Sequence, residues 1–429
     1  MPEIRGFRGL RYQKNVVGDL AKVLAPPYDV ISPKEQAELH RLSPHNVVRL
    51  ELGLDEKGDS VKRNRYTRAK EALARWTEEG ALAHEKYPSI YVYEQEYKEG
   101  ARTKKRVGFL AAMKLNEKEV MKHENTLAAP KRDRMALLSE VRTNLSPIFG
   151  LFQDKKGGIH ALLKQTLRTK PVLDVRVDGV RHRLFVESSS ERVAAIAEQM
   201  AERPMFIADG HHRFEVAMQF RERMKAEDPQ NEFAGWNYVM TYFADLTHNP
   251  FTIWPTHRLI KAPKTVKDPL AALGTRGKLK KVGSLAAVLK KLEKTRAGAK
   301  EKGYTFGVTS RSKGFFIFTL DPKFVSQVKK DPVSRLDVAA LHSMLIEPLF
   351  GIRKIEKSAD IDFTRDAKAA CDKVKAGTFD LALFLRPTSL DEMVEASLKG
   401  LKMPQKSTYF YPKIISGLVF HKFEEPVNV

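Results

Sequence analysis

The chain of 429 residues contains a single cysteine, Cys371. One thiol excludes an intramolecular disulfide and a thiolate metal cage, so a reducing, cytoplasmic setting is expected. Cys371 lies in an amphipathic segment with no histidine near it in sequence, which argues against thiol catalysis. Long apolar runs are also lacking. The stretch Ile414–Phe420 falls far short of the roughly 20 residues a membrane-spanning helix needs. The opening MPEIRGFRGL carries charge but no apolar run behind it, so no secretory signal and no membrane partner are expected. Internal repeats, low-complexity tracts and heptads are absent.

Acidic residues are the other shortage. Against 53 Asp and Glu stand 75 Lys and Arg, a formal net charge of +22. Such a field attracts nucleic acid, acidic membranes or phosphorylated small molecules. Much of the excess is local: between Lys261 and Gly303 there are 13 Lys and Arg against three Asp and Glu. A polyanion contact at Lys261–Lys302 is one reading, and a solvated lysine-rich helical face is the other. No aromatic residues are interleaved there, so base stacking is not expected.

What is present suits a globular chain. A hydrophobic fraction of 42% supplies a core, and the length suggests two or three subdomains. Helical spacing predicts helices over Ser32–Arg41, Ser60–Glu79, Phe214–Ala226, Leu336–Phe350 and Thr364–Lys375. Strands are expected at Pro204–Ala208, Asn237–Ala244 and Phe379–Leu385. Hairpins are expected over Ser89–Lys114, turning at Lys98–Lys105, and over Gly303–Leu320, turning near Ser310–Gly314. Strands and helices mix without a regular βαβ rhythm, which predicts an α+β fold. The expected division is a core over 1–260, a basic α+β subdomain over 261–400, and a 401–429 segment returning to the core.

Five segments carry candidate chemistry. In PMFIADGHHRFEVAMQF, residues 204–220, a strand ends, Gly210 permits a tight turn, and a helix begins. The free N–H groups and positive dipole end of that helix favour an anion. His211, His212 and Arg213 add donors and charge. Asp209 could hold a histidine tautomer or bind magnesium, and sequence leaves both open. Zinc on Asp209, His211 and His212 lacks a further ligand at standard spacing.

In MKHENTLAAPKRDRMALL, residues 121–138, the HExxH pattern fails because position 127 is leucine. His123, Glu124, Thr126, Lys131, Asp133 and Arg134 then either position a phosphate or form a solvated turn. In VLAPPYDVIS, residues 23–32, two prolines present Tyr28 and Asp29 on a rigid turn before a helix capped by Ser32. Thr256, His257 and Arg258 interrupt the apolar run IWPTHRLI, at a cost unless partners satisfy them. Lys406, Ser407 and Thr408 echo the end of a P-loop, but its glycines are missing.

The segments APPYDVIS, HENTLAAPKRDR, LSPIFGLF, DGHHR, PTHR and MPQKSTYFYPK, in this order from residue 25 to 413, resemble the DUF1015 family. The DGHHR stretch is also similar to that of free-serine kinases with a ParB/sulfiredoxin-like fold. That second likeness implies a ParB/sulfiredoxin-like core with added mixed-sheet and helical subdomains. It implies phosphates cradled by Gly210, His211, His212 and Arg213, with ATP or ADP and Mg2+ as cofactors. An acid (Asp29, Glu124 or Asp209) would deprotonate the acceptor hydroxyl.

The expected function is therefore a magnesium-dependent phosphotransferase acting on a small hydroxyl compound such as free serine. Lys406, Ser407 and Thr408 would assist at the phosphates. Tyr28, His123, Thr126, Lys131, Arg134, Thr256, His257 and Arg258 would contact substrate. A nucleic-acid-binding or nucleotide-switch protein and a metal-dependent hydrolase are the alternatives.

Overall fold

The computed structural model describes residues 2–116, 120–121, 128–295, 303–311, 313–353, 355, 358–404 and 406–423. Two compact units emerge, one from described residues of 1–121, 126–251 and 412–429, the other from 252–411. Positions 260 and 401, expected as joints, both fall within the second unit, because His257–Ile260 is a strand of that unit's own sheet. The fold is α+β, as expected.

The first unit is built on a nine-stranded mixed sheet. Its strands are β1 (Ile4–Arg5), β2 (Ile90–Glu99), β3 (Arg102–Lys114), β4 (Val120–Met121), β5 (Ile148–Phe152), β6 (Leu173–Val177), β7 (Val180–Glu187), β8 (Met205–Asp209) and β9 (Tyr238–Asp245). They run in the order β4-β8-β5-β9-β3-β2-β7-β6, with β1 added to β3. The pairs β4–β8 and β5–β9 are parallel, while β8 is antiparallel to β5. Interior strands such as IFGLF are buried at every position, which is why they read as unbroken apolar runs rather than alternating ones.

Three helices cover one face. Ile159 and Leu163, Ile196 and Met200, and Phe214 and Ala217 pack against Val92, Phe109, Phe185 and Ile207 of the sheet. The last of these helices, His211–Glu227, is buried on a second side too. Its Val216 and Phe220 meet Leu138 of the helix Ala128–Val141, together with Trp236 and Phe423. The Ser32 helix forms as Pro33–Leu42, with a reciprocal capping box between Ser32 and Glu35.

The second unit carries a six-stranded, wholly antiparallel sheet. Its strands are β10 (His257–Ile260), β11 (Gly277–Val282), β12 (Thr305–Ser310), β13 (Gly314–Leu320), β14 (Ile361–Thr364) and β15 (Leu381–Phe384), in the order β11-β13-β12-β15-β10-β14. Helices Leu285–Lys294 and Ala367–Lys375 lay Val288, Leu292, Ala370, Cys371 and Val374 on Leu259, Ile317 and Phe384. Cys371 is thus a core residue.

Some boundaries differ from expectation for identifiable reasons. The first hairpin turns at Gly100, at positive φ, rather than over Lys98–Lys105. Its charged ends still pair across the strands, Lys105 with Glu96 at 3.1 Å and Lys104 with Glu99, so a polar run extends the ladder. The Ser60 helix begins only at Arg65, capped by Asn64. The Leu336–Phe350 helix contains a π-turn at His342–Ile346 ahead of Pro348, whose ring nitrogen has no hydrogen to donate to a regular turn. The helix expected over Thr364–Lys375 forms as Ala367–Lys375, because Thr364 closes β14 and Asp366 caps the helix.

Candidate functional site

The strand–turn–helix over Met205–Glu227 forms as its sequence predicts, with one addition. The pairing of β8 with β5 shifts register between Ile207 and Asp209, a β-bulge at Ala208. Met205 and Ile207 belong to the core. Strict alternation would send Asp209 after them, and the extra residue re-aims it. Gly210 then takes φ 90°, and the helix starts at His211 with no side-chain cap. Its first N–H groups are therefore left to other partners.

Around this turn the first unit gathers charge. Arg213 Nη2 donates to Asp209 Oδ2 at 2.9 Å, and its Nη1 donates to the Pro147 carbonyl. Lys413 Nζ donates to Asp209 Oδ1. Burial would raise the Asp209 pKa, but Lys413 and Arg213 outweigh it and hold the carboxyl below its ordinary range. The Arg213 guanidinium is opposed by burial and sustained by Asp209, then by Tyr28, Asp29 and Glu51.

Arg134 lies over the Tyr28 ring at 3.9 Å and pairs with Asp133 at 2.6 Å and Glu51 at 3.5 Å. Burial pushes the Tyr28 phenol up to about 12, while Arg134 pulls the other way. A cavity of about 50 Å³ is lined by Glu51, Arg134, Ser146 and Arg213 with apolar Leu137 and Val216.

The strap that delivers Lys413 is clamped from the sheet. Gln95 and Arg106 are cross-strand partners on β2 and β3. Gln95 Nε2 donates to the Lys413 carbonyl at 2.9 Å, and Arg106 donates to the Pro412 carbonyl and to Gln95 Oε1. Arg106 is fully buried and its guanidinium lies 5.0 Å from the Phe149 ring.

Of the residues singled out in sequence, Tyr28, Asp29, Arg134, Asp209, Gly210, His211 and Arg213 belong to this one electrostatic neighbourhood. His212 follows on the first turn of the same helix. Lys131 pairs with Glu215 at 3.1 Å. His123, Glu124 and Thr126 lie outside the described residues. Glu51, Pro147 and Lys413 were not anticipated. Lys413 closes a motif whose Lys406–Thr408 drew attention instead, and Glu51 stands in no recognisable pattern.

The remaining motif residues belong to the second unit. Thr256, His257 and Arg258 are buried there. Arg258 donates to the carbonyls of Thr256 and Lys406 and lies 5.3 Å from the Phe363 ring. Burial lowers its pKa to about 9, and lowers that of His257 to about 4. Ser407 is buried and its carbonyl accepts from Thr388 Oγ1 at 2.9 Å. Lys406 is exposed at φ 58°, and Thr408 is half-buried.

Asp209 does not fit a resident magnesium ion, because a cation already sits on each of its oxygens. Among the described residues no group of three or more His, Cys, Asp or Glu gathers to hold a metal. Among them, too, no helix is long and apolar enough to cross a membrane.

A comparison with curated proteins gives no match. Among solved structures the chain is similar to a free serine kinase in complex with AMP, at 11% identity and a TM-score of 0.35, over 71% of this chain and 86% of that one. It is also similar to a conserved hypothetical protein from Pyrococcus furiosus, at 12% and 0.34 over 72% and 92%. A third likeness is to C-terminally truncated SbnI from Staphylococcus aureus, at 11% and 0.35 over 72% and 86%. At these values the likenesses assign no activity. The family model described as "Protein of unknown function (DUF1015)" matches residues 4–339, and the chain belongs to that family.

Proposed function

We propose that the first unit binds nucleotide phosphates at Gly210–Arg213 and transfers a phosphoryl group to a small hydroxyl compound, with free serine the first acceptor to test. One observation carries this reading. A helix N-terminus that opens on a left-handed glycine stands beside Arg213 and Lys413, both tied to Asp209, with Arg134 in the same charge cluster. Phosphoryl transfer requires mainly positioning and neutralisation of charge, which such donors supply. Asp209 orients Arg213 and Lys413. Its lowered pKa makes it a poor proton acceptor at neutral pH. Magnesium enters as part of the substrate, chelated by the nucleotide phosphates.

The test is thermal stability with and without Mg-ATP and Mg-ADP, on wild type, Arg213→Ala and Arg213→Lys. A ligand held only by the folded state raises the melting temperature. A rise in wild type that is lost in Arg213→Ala supports the reading. No rise with either nucleotide in wild type defeats it.

A second reading rests on the lysines of the second unit. Lys261, Lys264, Lys267, Lys278, Lys280, Lys281, Lys290, Lys291 and Lys294 are all exposed, and three of them lie on β11 at the edge of its sheet. Nucleic-acid binding there predicts an affinity that falls steeply with salt and a slope reduced in a Lys278/Lys280/Lys281→Gln variant. A salt-independent affinity would reject it.

A further inference from the structure

We propose that Glu51, rather than Asp29 or Asp209, is the base that takes the acceptor's proton, an inference resting on the phosphotransferase reading. Glu51 is 3% exposed and lines the cavity it shares with Arg134, Ser146 and Arg213. Its Oε2 accepts no hydrogen bond from the described residues. The nearest paired cation, Arg134 Nη1, stands at 3.5 Å, well beyond the roughly 2.7–2.9 Å of a charge-assisted hydrogen bond. A buried carboxylate oxygen left without a donor is costly and calls for a partner. The cavity of about 50 Å³ exceeds the ~10–15 Å³ that one water requires, and so admits a hydroxyl with the carbon bearing it.

The neighbours decide what that partner is. Asp209 has a cation on each oxygen, and Asp29 is exposed on its turn, where water competes for a proton. Glu51 combines burial, an open acceptor position and proximity to Arg213, whose charge it helps to sustain. An acceptor hydroxyl donating to Oε2 is therefore held beside the cations assigned to the phosphates.

In the step, the hydroxyl proton passes to the Glu51 carboxylate as the hydroxyl oxygen bonds to the γ-phosphorus. The bond from that phosphorus to the bridging oxygen breaks, and ADP leaves with the electron pair. Glu51 then returns its proton to solvent, so atoms and charge balance.

The experiment measures ADP formation and phosphorylated product by 31P NMR. Wild type, Glu51→Gln and Glu51→Asp are each supplied with Mg-ATP and with serine, threonine, homoserine or glycerol, and with water alone. The nucleotide-dependent rise in melting temperature is recorded in parallel. Glu51→Gln should lose about 10²- to 10⁴-fold in turnover and the acidic limb of the pH–rate profile, yet keep that rise; Glu51→Asp should recover part of the rate. Turnover within a few-fold of wild type in Glu51→Gln, with the acidic limb unchanged, overturns the assignment while leaving the phosphotransferase standing. A wild type that binds nucleotide but transfers phosphate to none of these acceptors overturns both.

Discussion

Lys413 Nζ donates to Asp209 Oδ1 across 204 positions of sequence. Between them the chain completes the helix His211–Glu227, crosses β9 and builds the whole of the second unit. The charge state of the strand–turn–helix is therefore set by a residue delivered from the far end of the described chain.

Replacing Lys413 by methionine should move acid unfolding of the first unit to higher pH. Because the Asp209 pKa is depressed in the folded state, the stability it contributes is full above the ordinary carboxylate range and is lost as pH falls through and below that range. Without Lys413, burial drives the pKa upward and the loss begins earlier. At neutral pH the variant should cost about 1–3 kcal/mol, less than the ~3–5 of a fully broken buried pair, because Arg213 remains. Urea unfolding followed between pH 7 and 3 reads both effects. Coincident wild-type and variant curves would show that the pair contributes nothing.

Gly210→Ala should destabilise the turn and blunt any nucleotide response. The residue sits at φ 90°, and an added Cβ would meet the Arg213 guanidinium at 3.0 Å. The backbone penalty alone is about 1–2 kcal/mol. The displaced Arg213 should also weaken nucleotide binding beyond what the stability loss explains, as titration of the folded variant would reveal. An unaltered affinity would detach Arg213 from the phosphates.

His257 should make the second unit sensitive to mild acid. Its pKa falls from 6.5 to about 4, by burial first and by Arg258 second. The unfolded chain then takes up a proton that the folded one refuses, so stability is full above pH 6.5 and declines toward pH 4, by at most about 3 kcal/mol. Neutral His257 accepts at Nδ1 from the Leu385 N–H at 3.4 Å, and protonation removes that acceptor. Hydrogen exchange at Leu385 should accelerate between pH 6.5 and 4, after correction for intrinsic rates, and should not do so in His257→Gln. Equal protection in the two proteins would refute the account.

The parts of this site legible in sequence are those encoded locally. A strand ending on Ala208, a glycine and a cationic helix start lie within a few residues, so DGHHR declares its geometry. The two prolines before Tyr28 do the same for the turn at Asp29. The bulge at Ala208 was not legible, since strand alternation alone gives no sign of an inserted residue. Glu51 stands in no recognisable pattern, and Lys413, although it closes the MPQKSTYFYPK motif, carries no sign in sequence of a partner 204 positions away. Lys413 meets Asp209 only through the returning strap, and Glu51 becomes unusual only once burial leaves its Oε2 without a donor among the described residues. PTHR was the converse case: a polar trio in an apolar run drew notice, and Arg258 is met by backbone carbonyls from Thr256 and Lys406.

The clamp of Gln95 and Arg106 on the strap at Pro412–Lys413 has a consequence for biosynthesis. Helix and sheet of the first unit can collapse early, but Asp209 must wait with Arg213 alone until about two hundred more residues have emerged from the ribosome. Closing so long a loop comes late and slowly. A nascent chain, or one cleaved ahead of residue 412, therefore lacks the second cation on Asp209 and also Phe423, which packs against the helix His211–Glu227.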